Sequence, residues 1–235
     1  MALSPTIYLN GVFSLLIVTV YLIVGISILA KFKKRQNKFY ILTGIAWIGI
    51  SEPWWPSSIS FIVALFNETG LNVQTYLIIN NNFLPIFLLL WILVVTNLVN
   101  IKHKNLIIIL YSVSAVFLEF LVIFYLITDI ALVGILLSPV DLDFGIITTI
   151  YLMYILLLFI ITGLIFALKT MKIGDKISKL RGNFLLIAIL LYLVGAILEI
   201  IITFPVNRIL ILLSAVAFYI GFIMPDSIKN KFIKS

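Results

Sequence analysis

Long apolar runs follow one another along this chain with only short polar breaks between them, and that succession constrains the fold more than any other feature. The runs lie near 7–30, 39–66, 75–99, 106–128, 145–168, 184–204 and 209–224, each rich in Leu, Ile, Val and Phe. A helical crossing of a bilayer needs about 20 such residues, so the pattern predicts an all-α integral membrane protein, a seven-transmembrane-helix bundle forming one domain over 1–235. Of the 235 residues, 63% are hydrophobic and 11% charged, where soluble domains run at about 45–50% and about 25%. Seven crossings use about 140 to 165 residues. The remainder is expected to form short loops, with no room for a kinase, an ATPase or a DNA-binding module. A closed barrel would instead alternate in polarity over segments of about ten residues, and continuous runs such as IAILLYLVGAI do not.

The charges orient the bundle. Fifteen of the sixteen basic residues fall in alternate connections, at 31–38, 101–105, 169–181 and in the tail. The intervening connections hold only Arg208 among four acids, Glu68, Asp129, Asp141 and Asp143. Positive residues stay inside, so the N-terminus is expected outside and the C-terminus inside, which requires an odd number of spans. The first run has no basic segment ahead of it and is followed by one, so it is expected to remain as a helix and not to be cleaved. The basic segments read first as topology determinants, and no nucleic acid is expected despite a pI of about 9.5. The lipid bilayer is the partner that composition implies, in a multi-pass protein of the plasma membrane. In the tail, Ile228, Phe232 and Ile233 against Lys229, Lys231 and Lys234 predict one or two turns at the inner interface.

Three acids lie where acids are costly: Glu52, Glu119 and Glu199. A charge at mid-bilayer costs about 2.5–3.5 kcal/mol even on lenient scales, and no Lys or Arg lies within the runs to pair with them. They must face the interior, be protonated, hold a cation or reach water. At 1.5 Å per residue they sit about 20 to 24 Å above the inner ends of their runs, in the outer half of a core about 30 Å thick. Asn80, Asn81 and Asn82 of the third run fall at a similar level, with Thr148, Thr149, Tyr151 and Tyr154 of the fifth, Tyr125 of the fourth and Ser214 of the seventh. This layer predicts an outward-facing acidic polar pocket above an apolar plug. The alternative is that the same groups only hydrogen-bond neighbouring helices, at about 0.6 to 2 kcal/mol each.

The second run carries the most distinctive motif, Ser51-Glu52-Pro53-Trp54-Trp55-Pro56-Ser57-Ser58. Pro53 and Pro56 cannot donate backbone bonds, so the carbonyls of Gly49 and Glu52 are expected to lose their helical partners and the helix to kink or open. Freed carbonyls, Glu52 and the hydroxyls of Ser51, Ser57 and Ser58 could coordinate a hard cation, and Trp54 and Trp55 could face an organic ammonium. A proline kink with interfacial tryptophans explains the motif equally well.

Glu199 has a nearer partner: a snorkelling Arg208 across the tight turn at Pro205 would reach it. Glu119 has none nearby in sequence. The segment SPVDLDF, 138–144, reads as a solvated acidic loop, and Asn67-Glu68-Thr69 is a glycosylation sequon on the outer side.

With no Cys and one His, His103, thiolate and His-based metal sites, a cysteine nucleophile and a Ser–His pair are excluded. No metal site and no cofactor is expected. The last run has no lysine to hold retinal. A paired-carboxylate enzyme using Glu52 and Glu119 stays open, but the expectation is a protein that is not an enzyme. Frequent Ile, Lys and Asn point to an AT-rich prokaryote.

The N-out, C-in layout resembles the seven-helix membrane sensor regions that precede prokaryotic histidine kinases, over the whole chain in topology. That resemblance implies a receptor or sensor with a cation or small cationic ligand in the outer pocket and a cytoplasmic protein partner touching 31–38 and 169–181. Two alternatives stand beside it. One is a small cation- or proton-coupled transporter of three-plus-one-plus-three layout, in which Gly49-Ile50-Ser51-Glu52 corresponds to Ala196-Ile197-Leu198-Glu199. The other is a membrane assembly protein without a small ligand.

Overall fold

A computed structural model describes residues 3–201 and 205–233. The chain is 83% helical, all-α apart from one small hairpin. In order come α1 (Pro5–Arg35), α2 (Phe39–Gly49), a 3-10 turn (Glu52–Trp54), α3 (Trp55–Asn67), α4 (Val73–Asn81), α5 (Leu84–Leu98) and α6 (Lys104–Thr128). A second 3-10 turn (Ile130–Leu132) leads to strands β1 (Gly134–Ser138) and β2 (Asp141–Phe144), followed by α7 (Ile146–Met171), α8 (Lys176–Ile201), α9 (Pro205–Ile223) and α10 (Asp226–Ile233). Five helical segments among the described residues are long and apolar enough to cross a membrane, and six if the bent pair of α9 and α10 counts as one.

The pairs in contact trace a closed ring: α1 on α2, α2 on α5, α5 on α7, α7 on α8, α8 on α9, and α9 back on α1. Helix α6 lies outside it, against α5 and α7, with only Tyr111 and Val122 buried. Aromatic rings fill the centre. Trp47 stacks on Phe218 at 3.5 Å and on Tyr21 at 5.3 Å, and Trp91 meets Phe159 at 5.6 Å and Phe166 edge-on at 5.8 Å. Such pairs add about 0.5–1.5 kcal/mol each beyond the area they bury. They form a solid plug across the ring.

Several expectations are corrected. The third run is two helices, broken at Asn82 and Phe83, because Pro85 in the first turn of α5 has no N–H to give the Asn81 carbonyl four residues back. The second run breaks at its prolines as expected, α2 ending at Gly49 and α3 starting at Trp55, but the Glu52 carbonyl keeps a partner. The break tightens into a 3-10 turn in which Trp54 N–H bonds Ser51 O at 3.0 Å and Trp55 N–H takes Glu52 O. The segment 138–144 is not a solvated loop. Together with 134–137 it forms an antiparallel hairpin pairing Ile135 with Asp143 and Leu136 with Leu142, with Val140 fully buried. Helix α8 begins at Lys176, several residues inside the expected basic connection. Helix α10 turns away from α9 by 82°. The end of the sixth expected run, 202–204, and Lys234 lie outside the described residues.

Candidate functional site

The hairpin closes one end of the ring, and beneath it lies a cavity of about 90 Å³. At about 10–15 Å³ per water, this holds on the order of six waters or one small organic molecule. Its sides come from the 3-10 turn after α2, from α3, α4, α5, α7, α8 and α9, and from the hairpin itself. Phe159 is shared between the cavity wall and the aromatic plug, so the plug forms the floor.

The polar rim is organised by Arg208, which is 2% exposed. Its Nε donates to Glu199 Oε1 at 2.8 Å, and Nη2 lies 2.7 Å from the same oxygen and 3.6 Å from Asp141 Oδ1. Nη1 donates to Ser14 Oγ at 2.8 Å and to the Asn10 carbonyl. Asn10 Nδ2 in turn donates to both oxygens of Asp141, at 2.9 and 3.0 Å, and Ser138 Oγ donates to Asp141 Oδ2 at 3.0 Å. This network pins the hairpin to α1, α8 and α9. Ser57 and Tyr76 add to it, since their hydroxyls pair with each other at 2.6 Å and lie 3.0 and 3.3 Å from the Val140 carbonyl, which accepts the hydrogen left over. The Trp54 ring meets the Tyr192 ring edge-on at 6.4 Å, and both line the cavity beside Glu199.

The arrangement therefore sets two carboxyl groups against one guanidinium, beside the rings of Trp54, Tyr76, Tyr192 and Phe159. Below them the walls are Leu84, Leu88, Leu152, Ile155 and Leu156. Such a cavity suits a ligand with a cationic head and a small apolar body, through charge and through the faces of the rings.

The three membrane acids do not share this cavity. Only Glu199 lines it, together with Trp54, Pro53 and Asn80. Glu52 is fully buried elsewhere and accepts the Phe83 N–H at 2.9 Å through Oε1, so it caps the N-terminus of α5 across the two helix breaks. Its Oε2 has no hydrogen-bond partner. Asn81 is beside the same break: its carbonyl accepts the Tyr151 hydroxyl, and its Nδ2 donates to Leu77 O at 2.9 Å. Asn82 ends α4 with Oδ1 unpartnered. Glu119 on α6 is half-buried with Oε2 unpaired, near enough to interact electrostatically with Glu52 and Tyr151. Tyr154 pairs with Ser114 and faces α6, away from the cavity.

The cation shell envisaged around Glu52 is not assembled. Ser51 Oγ donates to Ile48 O at 2.7 Å, Ser58 Oγ to Trp54 O at 2.7 Å, and Ser57 is held by Tyr76 and the hairpin. Trp55 turns to Phe87 and donates its indole N–H to Ser51 Oγ at 3.0 Å. Ser214 bonds Tyr21, which ties α9 to α1. The Ile50 carbonyl, next to the break, accepts the Tyr192 hydroxyl of α8 at 3.3 Å.

Sequence reasoning missed Asn10, Ser14, Tyr76, Asp141 and Tyr192 as parts of the site, and treated Arg208 as a surface group. A signal existed for Asn10 and Ser14, which stand four apart on the buried face of α1 that continues through Ile17 and Tyr21. None existed for Tyr76 or Tyr192, whose roles depend on contacts far apart in sequence. Comparisons of the chain with protein-family models, with curated proteins and with solved structures give no match.

Proposed function

We propose that the chain is a seven-helix protein of the cell membrane, with its N-terminus outside and its C-terminus inside, that acts as a receptor or sensor and not as an enzyme. Counting the broken pairs α2 with α3 and α4 with α5 as one crossing each gives seven. The cavity under the hairpin then faces outward and takes a small organic cation, with Glu199 and Asp141 facing its charge and Trp54 and Tyr192 its body. The observation that carries this reading is the excess of carboxyl over basic groups in an aromatic-walled cavity at the end opposite the basic connections. The plug of Trp47, Trp91, Phe159 and Phe218 argues for signalling through the bundle over passage through it. The signal would leave by a cytoplasmic protein bound at 31–38 and 169–181.

The test is thermal unfolding of the purified chain with potassium, calcium, tetramethylammonium and benzylammonium. An organic cation at a hundredfold its dissociation constant should stabilise by about 2.7 kcal/mol. That gain should vanish in Glu199→Gln and shrink in Trp54→Leu. Equal responses in all three proteins, or none in the wild type, would end the cavity reading.

One observation favours a transporter as a second reading. Two spans break at the same place, with a half-helix N-terminus directed at a buried acid, Glu52, which is a style of coupling-ion site. Against a repeat origin, α8 runs unbroken past Glu199 to Ile201, so Glu52 and Glu199 do not occupy equivalent settings. Solute or proton flux in liposomes that depends on Glu52 would favour this reading over the receptor.

A further inference from the structure

At the opposite end of the ring, the ends of α2, α5, α7, α8 and α9 leave a groove of about 470 Å³. It faces the basic connections. Lys169 stands on one wall and Arg181 on another, and no acidic residue lines it. Among the described residues neither cation is in an ion pair with a carboxylate. Arg181 Nε is buried with no hydrogen-bond partner. A buried donor without an acceptor costs about 1–3 kcal/mol, more when charged, so an acceptor in the groove that reaches Nε would remove that cost. Tyr40 and Thr170 add hydroxyls to the same lining, and the rest is apolar, including Phe166 and Phe222 from beneath the plug. At the edge Ile173 is 68% exposed.

We propose that this groove holds the phosphate of an anionic membrane lipid, with Arg181 and Lys169 on the phosphate oxygens and the first carbons of the acyl chains against Ile173 and Phe222. A guanidinium presents paired donors that match phosphate geometry. Free phosphate would use the cations and leave the apolar walls wet, whereas a lipid uses both. The inner leaflet also supplies anionic lipid at high local concentration beside these helix ends. The inference rests on the membrane reading of the chain and is independent of the cavity at the hairpin end.

The test follows thermal unfolding of the full chain in neutral detergent during titration with short-chain phosphatidylglycerol, with phosphatidylcholine of the same chain length, and with inorganic phosphate. Phosphatidylglycerol should stabilise the wild type. The concentration for half the effect should rise about tenfold in Arg181→Gln and in Lys169→Gln, as expected for loss of one charge-assisted hydrogen bond, and stay unchanged in Lys33→Gln/Lys34→Gln, which alters basic residues outside the groove. Lys169 is exposed, so its variant keeps the test valid if Arg181→Gln does not fold. Equal stabilisation by inorganic phosphate would assign the groove to a free anion and overturn the lipid. Equal stabilisation by phosphatidylcholine, an equal loss in the Lys33/Lys34 control, or no stabilisation at all would also overturn it. A response to organic cations retained in Lys169→Gln separates this outcome from that of the cavity.

Discussion

Arg208 and Glu199 stand nine positions apart on consecutive helices, α8 and α9, and their side chains meet at 2.7 Å inside the ring and not at its surface. The guanidinium is 3% exposed and the carboxylate 13%. A snorkelling arginine would satisfy only its own hairpin. This one also reaches Asn10 and Ser14, nearly two hundred positions away in sequence, and so joins both ends of the chain.

The first prediction concerns that hub. Removing one member of a buried ion pair costs about 3–5 kcal/mol, because the partner charge stays buried. Arg208→Met should therefore destabilise strongly, since it leaves Glu199 and Asp141 facing each other. Adding Glu199→Gln should restore part of the loss, as a double-mutant cycle on unfolding in detergent would measure. An Arg208→Met protein as stable as the wild type would show that the guanidinium organises nothing.

The second prediction separates a cap from an ion ligand at Glu52. Gln keeps an oxygen for the Phe83 N–H and Ala does not, so Glu52→Gln should stay near wild-type stability. Glu52→Ala should lose about 1–3 kcal/mol, the cost of leaving a buried donor unsatisfied, and the Phe83 amide should exchange faster. Stabilisation of the wild type by a metal cation, absent in Glu52→Gln, would instead assign the carboxylate to ion binding.

The contrast between these two acids marks what the sequence discloses. The long apolar helices were legible, because apolar length is a property of each segment alone. The polar layer was legible as a level, but not as two separate clusters, because which face each helix turns inward depends on its neighbours. Two local signals were present and outweighed. Pro85 marks the break in the third run as plainly as Pro53 and Pro56 mark the second. In 140–144, Val140, Leu142 and Phe144 alternate with Asp141 and Asp143, which is the period of a strand. The burial of Arg208 had no local signal, since Asn10 and Asp141 reach it only after folding.

A third prediction tests a close backbone approach in the ring, between α1 and α2. A Cβ on Gly44 of α2 would stand 2.7 Å from the Gly25 carbonyl of α1 and 2.6 Å from Leu29 Cγ. The backbone carbonyl cannot swing aside as a flexible side chain can, so the helices must separate. Gly44→Ala should cost about 1–3 kcal/mol, the usual range for overpacking. Unchanged unfolding would mean that the two helices slide without cost.

A fourth prediction uses the start of α8. Asp175 Oδ1 accepts the Ser178 N–H at 2.8 Å, and hydrogen bonds from the Ser178 side chain and backbone hold its carboxyl below the ordinary value of 3.8. A group whose folded-state value is lowered stabilises fully above its unfolded value and loses that effect as pH falls through the folded one. The Ser178 amide in the first turn of α8 should therefore lose protection, measured against its intrinsic exchange rate, only below about pH 4, and Asp175→Asn should flatten that dependence.

The last prediction concerns orientation, for which the chain is already prepared because it contains no cysteine. Single cysteines at Glu68, between α3 and α4, and at Lys231, on α10, report opposite ends of the bundle if α4 to α9 make an odd number of crossings between them. With the N-terminus outside, a membrane-impermeant maleimide applied to intact cells should label Glu68→Cys and leave Lys231→Cys unlabelled until the membrane is opened. Both positions are exposed in the folded chain, so failure to label reflects the bilayer and not packing. The reverse pattern would turn the acidic cavity inward and place the basic groove outside, against the positive-inside rule, and both ligand proposals would then have to be assigned to the other face of the membrane. Labelling of both from outside would mean an even number of crossings between the two positions, and the broken pair between them, α4 with α5, would have to be a re-entrant segment instead of a span.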